Sequence, residues 1–237
     1  MDMDCTDRSV SRKVLTYEKG GFSSRSRELA QETCWTIMVG GNALETFSCS
    51  PWDLENAALG ILFFRNRIAQ AEEVSQLTVY PEKGLMEAEL TSLPPLSRKA
   101  APHLTLRASQ ILELAAGLEE GAGLFRRTGG VHTAALARGR EIFLRREDVS
   151  RHGALEKLAG ACLSAGLPMA GTILVFSGRV SDEIVRMARK MGCGAIIARS
   201  APTDLACQTA EEQGIILVGF ARGESFNLYT CPNRVVP

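Results

Sequence analysis

Residues 172–220 read TILVFSGRVSDEIVRMARKMGCGAIIARSAPTDLACQTAEEQGIILVGF, and this stretch decides the fold. Three continuous apolar runs alternate in it with two helical patterns. In order, these segments are 172–177, 181–191, 195–199, 203–213 and 215–220. Strands that are buried on both faces read as continuous apolar runs, and strands that alternate with helices form parallel sheets. The stretch therefore predicts an α/β unit with a parallel sheet.

The flanking sequence extends this unit in both directions. Gly192 and Gly214 follow the two helices, as a left-handed C-cap requires. Upstream we predict a hairpin with strands at 131–137 and 141–147 and a helix at 151–165, and downstream a short strand at 226–230. Asp148 or Ser150 can cap the helix at 151–165.

The N-terminal part predicts a smaller α+β domain. Residues 1–30 are polar and rich in Ser and Arg, and they read as a loose arm with one edge strand at 13–17. After the arm we predict strands at 33–39 and 43–48, a helix from Ser50 to Phe64 that Ser50 caps, two strands within 74–91, a proline-rich loop at 91–102 and a helix at 104–120. The expected domains are residues 1–102 and 103–237.

Composition excludes several classes of protein. The 237 residues include 27 basic and 27 acidic residues, and a zero net charge disfavours a general nucleic-acid or membrane-surface binder. The longest apolar run, residues 57–64, is far shorter than the ~20 residues of a membrane helix. The first residues carry no apolar signal core, so we expect a cytoplasmic protein without a membrane partner.

The cysteines and common catalytic motifs are equally restrictive. Seven cysteines are widely spaced and form no CxxC, so the sequence predicts no zinc site and no disulfide framework. A zinc deaminase needs His-x-Glu, whereas His132 is followed by Thr133 and Ala134. No GxGxxG, P-loop or GxSxG motif occurs.

Three polar loops follow the predicted parallel strands. Ligands of open parallel sheets bind beyond the carboxyl ends of the strands, and helix N-termini and arginine forks favour anions. The sequence therefore predicts a site for a phosphate-bearing ligand, with ordinary polar loops as the alternative. Its candidate residues are Ser177, Gly178, Arg179, Ser200, Thr203, Phe220, Ala221, Arg222, Gly223, Glu224 and Ser225.

Two further segments add candidates for ligand contact. Glycines before a strand allow a close backbone approach to a ligand, although a lone histidine is more often structural. These candidates are Gly129, Gly130, His132 and His152. Seven arginines against three acids between 125 and 151 form a basic region, for which a solvated hairpin face is the alternative.

Five motifs occur in an order that identifies a family. They are TGGVHTAAL at 128–136, EDVSRHGALEKLAG at 147–160, SGRVS at 177–181, SAPT at 200–203 and VGFARGESFNLYT at 218–230. Together they resemble the formate dehydrogenase accessory family, the FdhD-type sulfur carrier proteins. The resemblance is close over 125–237, and FSCSPWDLENAALGIL at 47–62 matches more weakly.

The resemblance implies a three-layer, cytidine-deaminase-like α/β fold without zinc in the C-terminal domain. It implies binding of the molybdenum bis(molybdopterin guanine dinucleotide) cofactor, transfer of sulfur from a cysteine desulfurase to that cofactor, maturation of formate dehydrogenase or a related molybdoenzyme, and a homodimer. On this basis 177–179 and 220–225 contact the cofactor or its guanine nucleotide. Residues 128–130, His132, Arg151 and His152 line the same cleft.

One departure bears directly on activity. The family's sulfur-carrying loop holds a Cys-x-x-Cys, but the corresponding residues 90–106 read LTSLPPLSRKAAPHLTL and contain no cysteine. A persulfide needs a nucleophilic, accessible thiolate, which Ser92 and Ser97 do not supply. Three functions stay open: a cofactor binder without sulfur transfer, a sulfurtransferase that uses another cysteine, or an interaction protein that keeps only the fold. Cys49, just before a predicted helix N-terminus, is the first choice for a relocated thiol.

Overall fold

The computed structural model of the chain describes residues 8–92 and 104–237. The strands in the described residues are β1 (Ser9–Glu18), β2 (Gly21–Ala30), β3 (Thr33–Val39), β4 (Asn42–Cys49), β5 (Val74–Tyr80), β6 (Leu85–Leu90), β7 (Leu106–Arg107), β8 (His132–Arg138), β9 (Glu141–Asp148), β10 (Ile173–Phe176), β11 (Ala195–Ala198), β12 (Ile216–Arg222), β13 (Ser225–Leu228) and β14 (Val235–Val236). The α-helices are α1 (Leu54–Phe64), α2 (Ala108–Gly121), α3 (Gly123–Thr128), α4 (Arg151–Ser164), α5 (Asp182–Met191) and α6 (Asp204–Glu212). Short 3₁₀ turns lie at Ala71–Glu73, Pro81–Lys83 and Pro232–Arg234.

The C-terminal half is built on a six-stranded sheet with the order β13-β12-β11-β10-β8-β9. The central strands β10, β11 and β12 are parallel, and β8, β9 and β13 extend the sheet antiparallel to their neighbours. The prediction of a mixed α/β fold with parallel strands at 172–220 is therefore confirmed. Gly192 and Gly214 both have positive φ, as predicted for residues that end helices.

Helices cover both faces of this sheet. On β10, Ile173 and Val175 pack with α2, whereas Leu174 and Phe176 pack with α4 and α5 on the opposite face. Successive residues of a strand point to opposite faces, so a strand between two helical layers must be apolar at every position. The arrangement has three layers, while the finer description as cytidine-deaminase-like stays a prediction.

The N-terminal half contributes a four-stranded sheet with the order β4-β3-β6-β5 and the helix α1. Its buried residues join the core of the C-terminal half in one continuous cluster. Helices α1 and α4 meet at Gly60 and Gly160, where a Cβ on Gly160 would lie 1.8 Å from the carbonyl oxygen of Asn56. The two halves thus share a core, and the domain boundary at residue 102 stays a prediction.

Several local predictions need correction. The predicted loose arm at 1–30 is, from residue 9, a ten-by-ten residue hairpin of β1 and β2, so the forecast of a single edge strand at 13–17 was wrong. A polar ribbon that is exposed on both faces has no regular alternation of apolar and polar residues. The sequence pattern therefore did not indicate the hairpin. The helix α3 was missed, and the predicted helix at 104–120 begins only at Ala108. Most of the predicted loop at 91–102 lies outside the described residues.

The helix start at Ser50 was also misjudged. The residue that precedes α1 is Asp53 in a left-handed conformation, and its side chain makes no capping hydrogen bond. Ser50 instead accepts a hydrogen bond from the backbone of Val149 at 3.1 Å. By contrast, Ser150 caps α4 as predicted and accepts from the Gly153 N–H at 3.3 Å. No helix in 8–92 or 104–237 is long and apolar enough to cross a membrane.

Candidate functional site

The sheet order brings the predicted loops to one edge, which we call the rim. Because β8 runs antiparallel to β10, the start of β8 lies beside the end of β10. The Ser177 N–H donates to the Thr133 carbonyl at 3.0 Å, and the Phe220 N–H donates to the Ser200 carbonyl at 3.3 Å. The loops at 177–179, 200–203 and 220–225 are thus neighbours.

His132 is the first residue of β8 and lies beside the loop at 177–179. Its Nδ1 lies 3.5 Å from the hydroxyl of Ser177, and its ring stacks on Phe176. A Cβ on Gly178 would come within 3.2 Å of the same Nδ1, so glycine is needed for this close approach. Burial, with Arg151 nearby, lowers the pKa of His132. The imidazole is therefore neutral at physiological pH and can donate or accept a hydrogen bond.

Three arginines at the rim have no side-chain partner among residues 8–92 and 104–237. Arg179 and Arg222 are exposed, and neither they nor Arg151 make an ion pair or side-chain hydrogen bond in the described part of the chain. Most arginines of the basic region are committed instead: Arg126, Arg145 and Arg138 donate to backbone carbonyls, and Arg140 pairs with Glu113. The structure therefore assigns the basic region mainly to packing and leaves the rim arginines available to an anion.

The last part of β12 is strained at the rim. Phe220 adopts a φ of 54°, a left-handed conformation that is uncommon for a bulky residue, and its side chain is 37% exposed. The pairing of β12 with β13 shifts register between Gly219 and Arg222. Such strain persists where the surroundings impose it and is common at binding sites. Here it holds an exposed aromatic side chain two residues before Arg222. The hydroxyl of Thr203 is already engaged, because it caps α6 by accepting a hydrogen bond from the Ala206 N–H.

A cavity of about 720 Å³ opens beside the rim, between β4, the root of the N-terminal hairpin and the starts of α4 and α5. Of the predicted residues it includes Thr128, Gly130 and His152. The remaining predicted residues lie outside its wall. The sequence analysis missed the other polar members of the wall, which are Glu32, Glu45, Ser48, Arg65, Ser150, Glu156 and Glu183.

One ion pair and one histidine–carboxylate contact flank the cavity. Arg65 binds Glu45 through Nε at 2.6 Å and Nη2 at 2.9 Å, and His152 Nε2 lies 2.9 Å from a Glu183 oxygen. Burial lowers the pKa of His152, although Glu183 opposes the shift. For Glu156, in contrast, the one charged partner within the described ranges is the Arg65 guanidinium at 3.9 Å. Its burial raises the pKa of the carboxyl to about 8. The sequence signal for this residue was its position, next to Lys157, in a stretch from Gly153 to Leu163 that is otherwise apolar.

A pH dependence of stability follows from Glu156. The unfolded chain loses this proton near pH 4.5 and the folded chain near pH 8, so the folded state binds the proton more tightly in that window. Its contribution to the free energy of unfolding is complete below pH 4.5 and is lost as pH rises through 8. We expect Glu156→Gln to gain stability over the wild type between pH 5 and 9 by a few kcal/mol. Urea unfolding of the variant and the wild type at pH 5 and pH 9 measures this difference in the free energy of unfolding. Glu82→Gln serves as the exposed control. The same difference between variant and wild type at both pH values would contradict the prediction.

A fully buried ion pair supports the wall beneath the cavity. Lys157 Nζ lies 2.6 Å from Asp148 Oδ2 and donates to the Ser50 carbonyl at 2.8 Å. Asp148 also accepts from the N–H groups of Ser50 at 3.0 Å and Ser150 at 2.7 Å. The Lys157 ammonium sits 5.1 Å from the Trp52 ring. This network fixes the segment at 50–52 against the start of α4.

Three of the described cysteines are poorly suited to carry sulfur. Cys49 is fully buried, and burial raises the pKa of its thiol to about 12, so the expectation of an activated thiol at this position was wrong. Burial also raises the pKa of Cys162 to about 11 and of Cys193 to about 12. Cys34 is exposed on β3. Cys5 lies outside the described residues. In the described ranges, no cluster of three or more His, Cys, Asp or Glu side chains could hold a metal ion.

Comparisons with known proteins add an independent line of evidence. The sequence model of the FdhD/NarQ family matches residues 91–236. A sulfur carrier protein FdhD from Bacillus licheniformis is 34% identical and aligns over 96% of this chain and 97% of its own length. One from Shouchella clausii is 35% identical over 95% and 96%, and one from Staphylococcus haemolyticus is 33% identical over 94% and 96%.

A solved structure is similar over nearly the whole chain. The crystal structure described as a formate dehydrogenase accessory protein from Desulfotalea psychrophila has a TM-score of 0.83 and 25% sequence identity. The match covers 96% of this chain and 99% of that protein. The similarity therefore includes the N-terminal half, which the family model largely leaves out.

Proposed function

Because the chain belongs to the FdhD/NarQ family, we propose that it is a formate dehydrogenase accessory protein that binds the molybdenum bis(molybdopterin guanine dinucleotide) cofactor without transferring sulfur to it. Its partner on this proposal is formate dehydrogenase or a related molybdoenzyme. The observation that carries the binding proposal is the set of uncommitted arginines on the rim, together with the exposed Phe220.

The rim fits the dinucleotide parts of that cofactor. A pyrophosphate takes bidentate hydrogen bonds from guanidinium groups, and Arg179 and Arg222 have both the exposure and the free donors for this. The Phe220 ring offers a face on which a planar base can stack. His132, neutral and backed by Phe176, adds a single hydrogen-bonding group. When bound, the cofactor would supply the metal chemistry, and the protein would bind and orient it.

The proposal is tested by titrating the full chain with guanosine diphosphate in a calorimeter. We expect binding that Arg222→Ala weakens about 10- to 100-fold, because a lost charge-assisted hydrogen bond costs ~1.5–3 kcal/mol. Arg140→Ala is the matched control, since this arginine lies in the β8–β9 turn at the opposite edge of the sheet. If guanosine diphosphate does not bind, or if both variants weaken binding equally, the rim is not the nucleotide-binding site.

The proposal that the chain does not transfer sulfur rests on the positions and environments of its cysteines. No cysteine occurs in residues 90–106, and burial raises the pKa of Cys49, Cys162 and Cys193 far above neutrality. A neutral thiol is a poor nucleophile toward a persulfide donor. These environments favour a cofactor carrier over a relocated sulfurtransferase.

Incubation with a cysteine desulfurase and cysteine provides the test. We expect the intact mass of the protein to stay unchanged, while a relative that carries a CxxC gains the mass of sulfur in the same reaction. If this chain gains one sulfur atom, the variants Cys34→Ser and Cys5→Ser identify the carrier among the thiols that are exposed or lie outside the described residues. Such a gain in mass would contradict the proposal of a cofactor carrier and would support a sulfurtransferase that uses another cysteine.

A further inference from the structure

The N-terminal hairpin of β1 and β2 exposes an apolar cluster near its turn. Leu15, Tyr17 and Phe22 are 72%, 63% and 73% exposed. The register pairs Tyr17 with Phe22, and their ring centroids lie 5.2 Å apart. Because alternate residues of a strand point to the same side, Leu15 lies on the same face as the two rings. We call these three residues the tip cluster. A contiguous group of exposed apolar side chains is typical of an interaction surface.

The opposite face of the hairpin holds arginines without partners. Arg12 and Arg27 are directly paired across the two strands, and like charges in that position destabilise a hairpin. Both are exposed, and neither makes an ion pair or side-chain hydrogen bond in the described part of the chain. Arg25, further along the same face, is held by Glu18. An anionic group on this face would relieve the repulsion between Arg12 and Arg27.

Both strands of the hairpin have an open edge. In the described residues β1 pairs with β2 alone, and β2 pairs with β1 alone. Each strand is ten residues long, so its outer edge presents a row of unpaired backbone N–H and C=O groups. A two-stranded ribbon is marginally stable by itself. A third strand from another protein would satisfy one edge with main-chain hydrogen bonds and would place its side chains beside both faces.

We propose that the hairpin is a docking arm, on which an extended, acidic segment of the molybdoenzyme that receives the cofactor adds as a third strand. The segment would place acidic side chains beside Arg12 and Arg27 and apolar side chains beside the tip cluster. The inference rests on the proposed function, because it assigns the surface on which the partner of that function binds. It goes beyond that function by naming the element and the chemistry of the segment that it holds.

The root of the hairpin lies where a receiving protein must come close. Leu29 and Ala30, at the end of β2, are part of the wall of the cavity beside the rim. The preceding residue, Glu28, pairs with Arg127 of α3 at 3.6 Å. A partner that is held on the hairpin is therefore attached to the element that forms part of this wall. A ligand bound in the cavity or at the rim is then within reach of that partner.

Charge and polarity disfavour the other occupants of this surface. Residues 12–27 include five basic side chains and one acidic side chain, so two copies of the hairpin repel each other when their edges meet. A lipid surface would bury both faces of the turn, but Glu18 and Thr16 lie on the face opposite the aromatic rings. Nucleic acid has no peptide backbone to pair with a strand edge. An acidic protein strand matches the charges, the edge and the tip cluster together.

The test measures binding of the full chain to cofactor-free formate dehydrogenase by biolayer interferometry. We expect Arg12→Glu/Arg27→Glu and Leu15→Ser/Tyr17→Ser each to weaken binding at least 10-fold. Binding by the wild type should also weaken as salt is added, because exposed charge pairs are screened. The control Arg67→Glu/Lys83→Glu makes the same change of net charge at two exposed positions outside the hairpin, and it should bind within twofold of the wild type.

A shortened hairpin provides a second variant. In it an Asn-Gly turn replaces residues 14–25, so that Lys13 and Ser26, which are paired in the hairpin, flank a two-residue turn. This chain keeps the root of the hairpin and loses the tip cluster, and it should not bind the enzyme. Hydrogen exchange of the wild-type complex should show slower exchange of backbone amides along one strand of the hairpin, because strand addition protects its outer edge.

Titration with guanosine diphosphate separates the two proposals. All hairpin variants should bind the diphosphate within twofold of the wild type, which also shows that they are folded. The docking arm is refuted if they bind the enzyme like the wild type, if the charge control weakens binding equally, or if the shortened hairpin abolishes self-association instead. It is also refuted if the wild type binds the diphosphate but not the enzyme. Failure of the wild type to bind the diphosphate would refute the proposed function itself.

Discussion

Replacing Gly160 by alanine is expected to lower the free energy of unfolding by at least about 3 kcal/mol. The new Cβ would lie 1.8 Å from the Asn56 carbonyl oxygen and 2.9 Å from the Gly60 backbone nitrogen. These are backbone atoms of α1, so no side chain can rotate away, and the two helices must move apart. Because α1 and α4 join the two sheets through one core, their separation opens packing throughout that core.

Gly117→Ala provides the matched control in a helix. Its Cβ would meet the Ile142 side chain at 3.4 Å, an ordinary contact. Alanine lowers the backbone entropy of the unfolded chain, so this variant should be neutral or more stable by about 0.5–1 kcal/mol. Urea denaturation of both variants measures the difference. Similar stabilities for Gly160→Ala and Gly117→Ala would show that α1 and α4 are not in backbone contact.

Replacing Lys157 by methionine should destabilise the fold by about 3–5 kcal/mol, since it leaves the Asp148 charge buried without its partner. Both side chains are fully buried, and their nearest atoms are 2.6 Å apart. Methionine has a similar shape, so the loss reports the charge rather than a cavity. The Ser50 carbonyl also loses its donor, which loosens the segment before α1.

The double variant Lys157→Met/Asp148→Asn separates charge from packing. Asparagine keeps an oxygen that can accept from the N–H of Ser50 or Ser150, but it carries no charge. We therefore expect the double variant to be more stable than Lys157→Met alone. Thermal and urea unfolding of the wild type, Lys157→Met, Asp148→Asn and the double variant give the coupling energy. If the two substitutions are simply additive, the buried charge is not the source of the loss.

Much of the C-terminal half was predictable because its signals are local. The runs at 173–176, 195–198 and 216–220 are apolar at consecutive positions, and short runs of this kind are typical of strands that are covered on both faces. The glycines after α5 and α6 mark helix ends through their own conformational freedom. Residues at the rim were also predictable, since parallel strands direct their carboxyl-end loops to one edge.

The N-terminal hairpin was not predictable by the same reasoning. Strands β1 and β2 pair along their whole length, yet both are largely exposed and carry no regular apolar face. Their hydrogen bonds are between backbone groups, which every residue type supplies. Side-chain periodicity reports burial, and where nothing is buried it gives no signal. The segment is polar, as the sequence shows, but the prediction of a loose arm from that polarity was wrong.

By itself, the sequence determined the α/β architecture, the rim loops and the absence of cysteine from residues 90–106, because each depends on residue type and order along the chain. Only the tertiary structure decided which groups are free to act. It engages most arginines of the basic region, buries Cys49 and leaves Arg222 uncommitted. It also brings Glu156 on α4 to Arg65 at the end of α1. Burial and charge pairing set the chemistry of these side chains, and both arise from residues far apart in sequence.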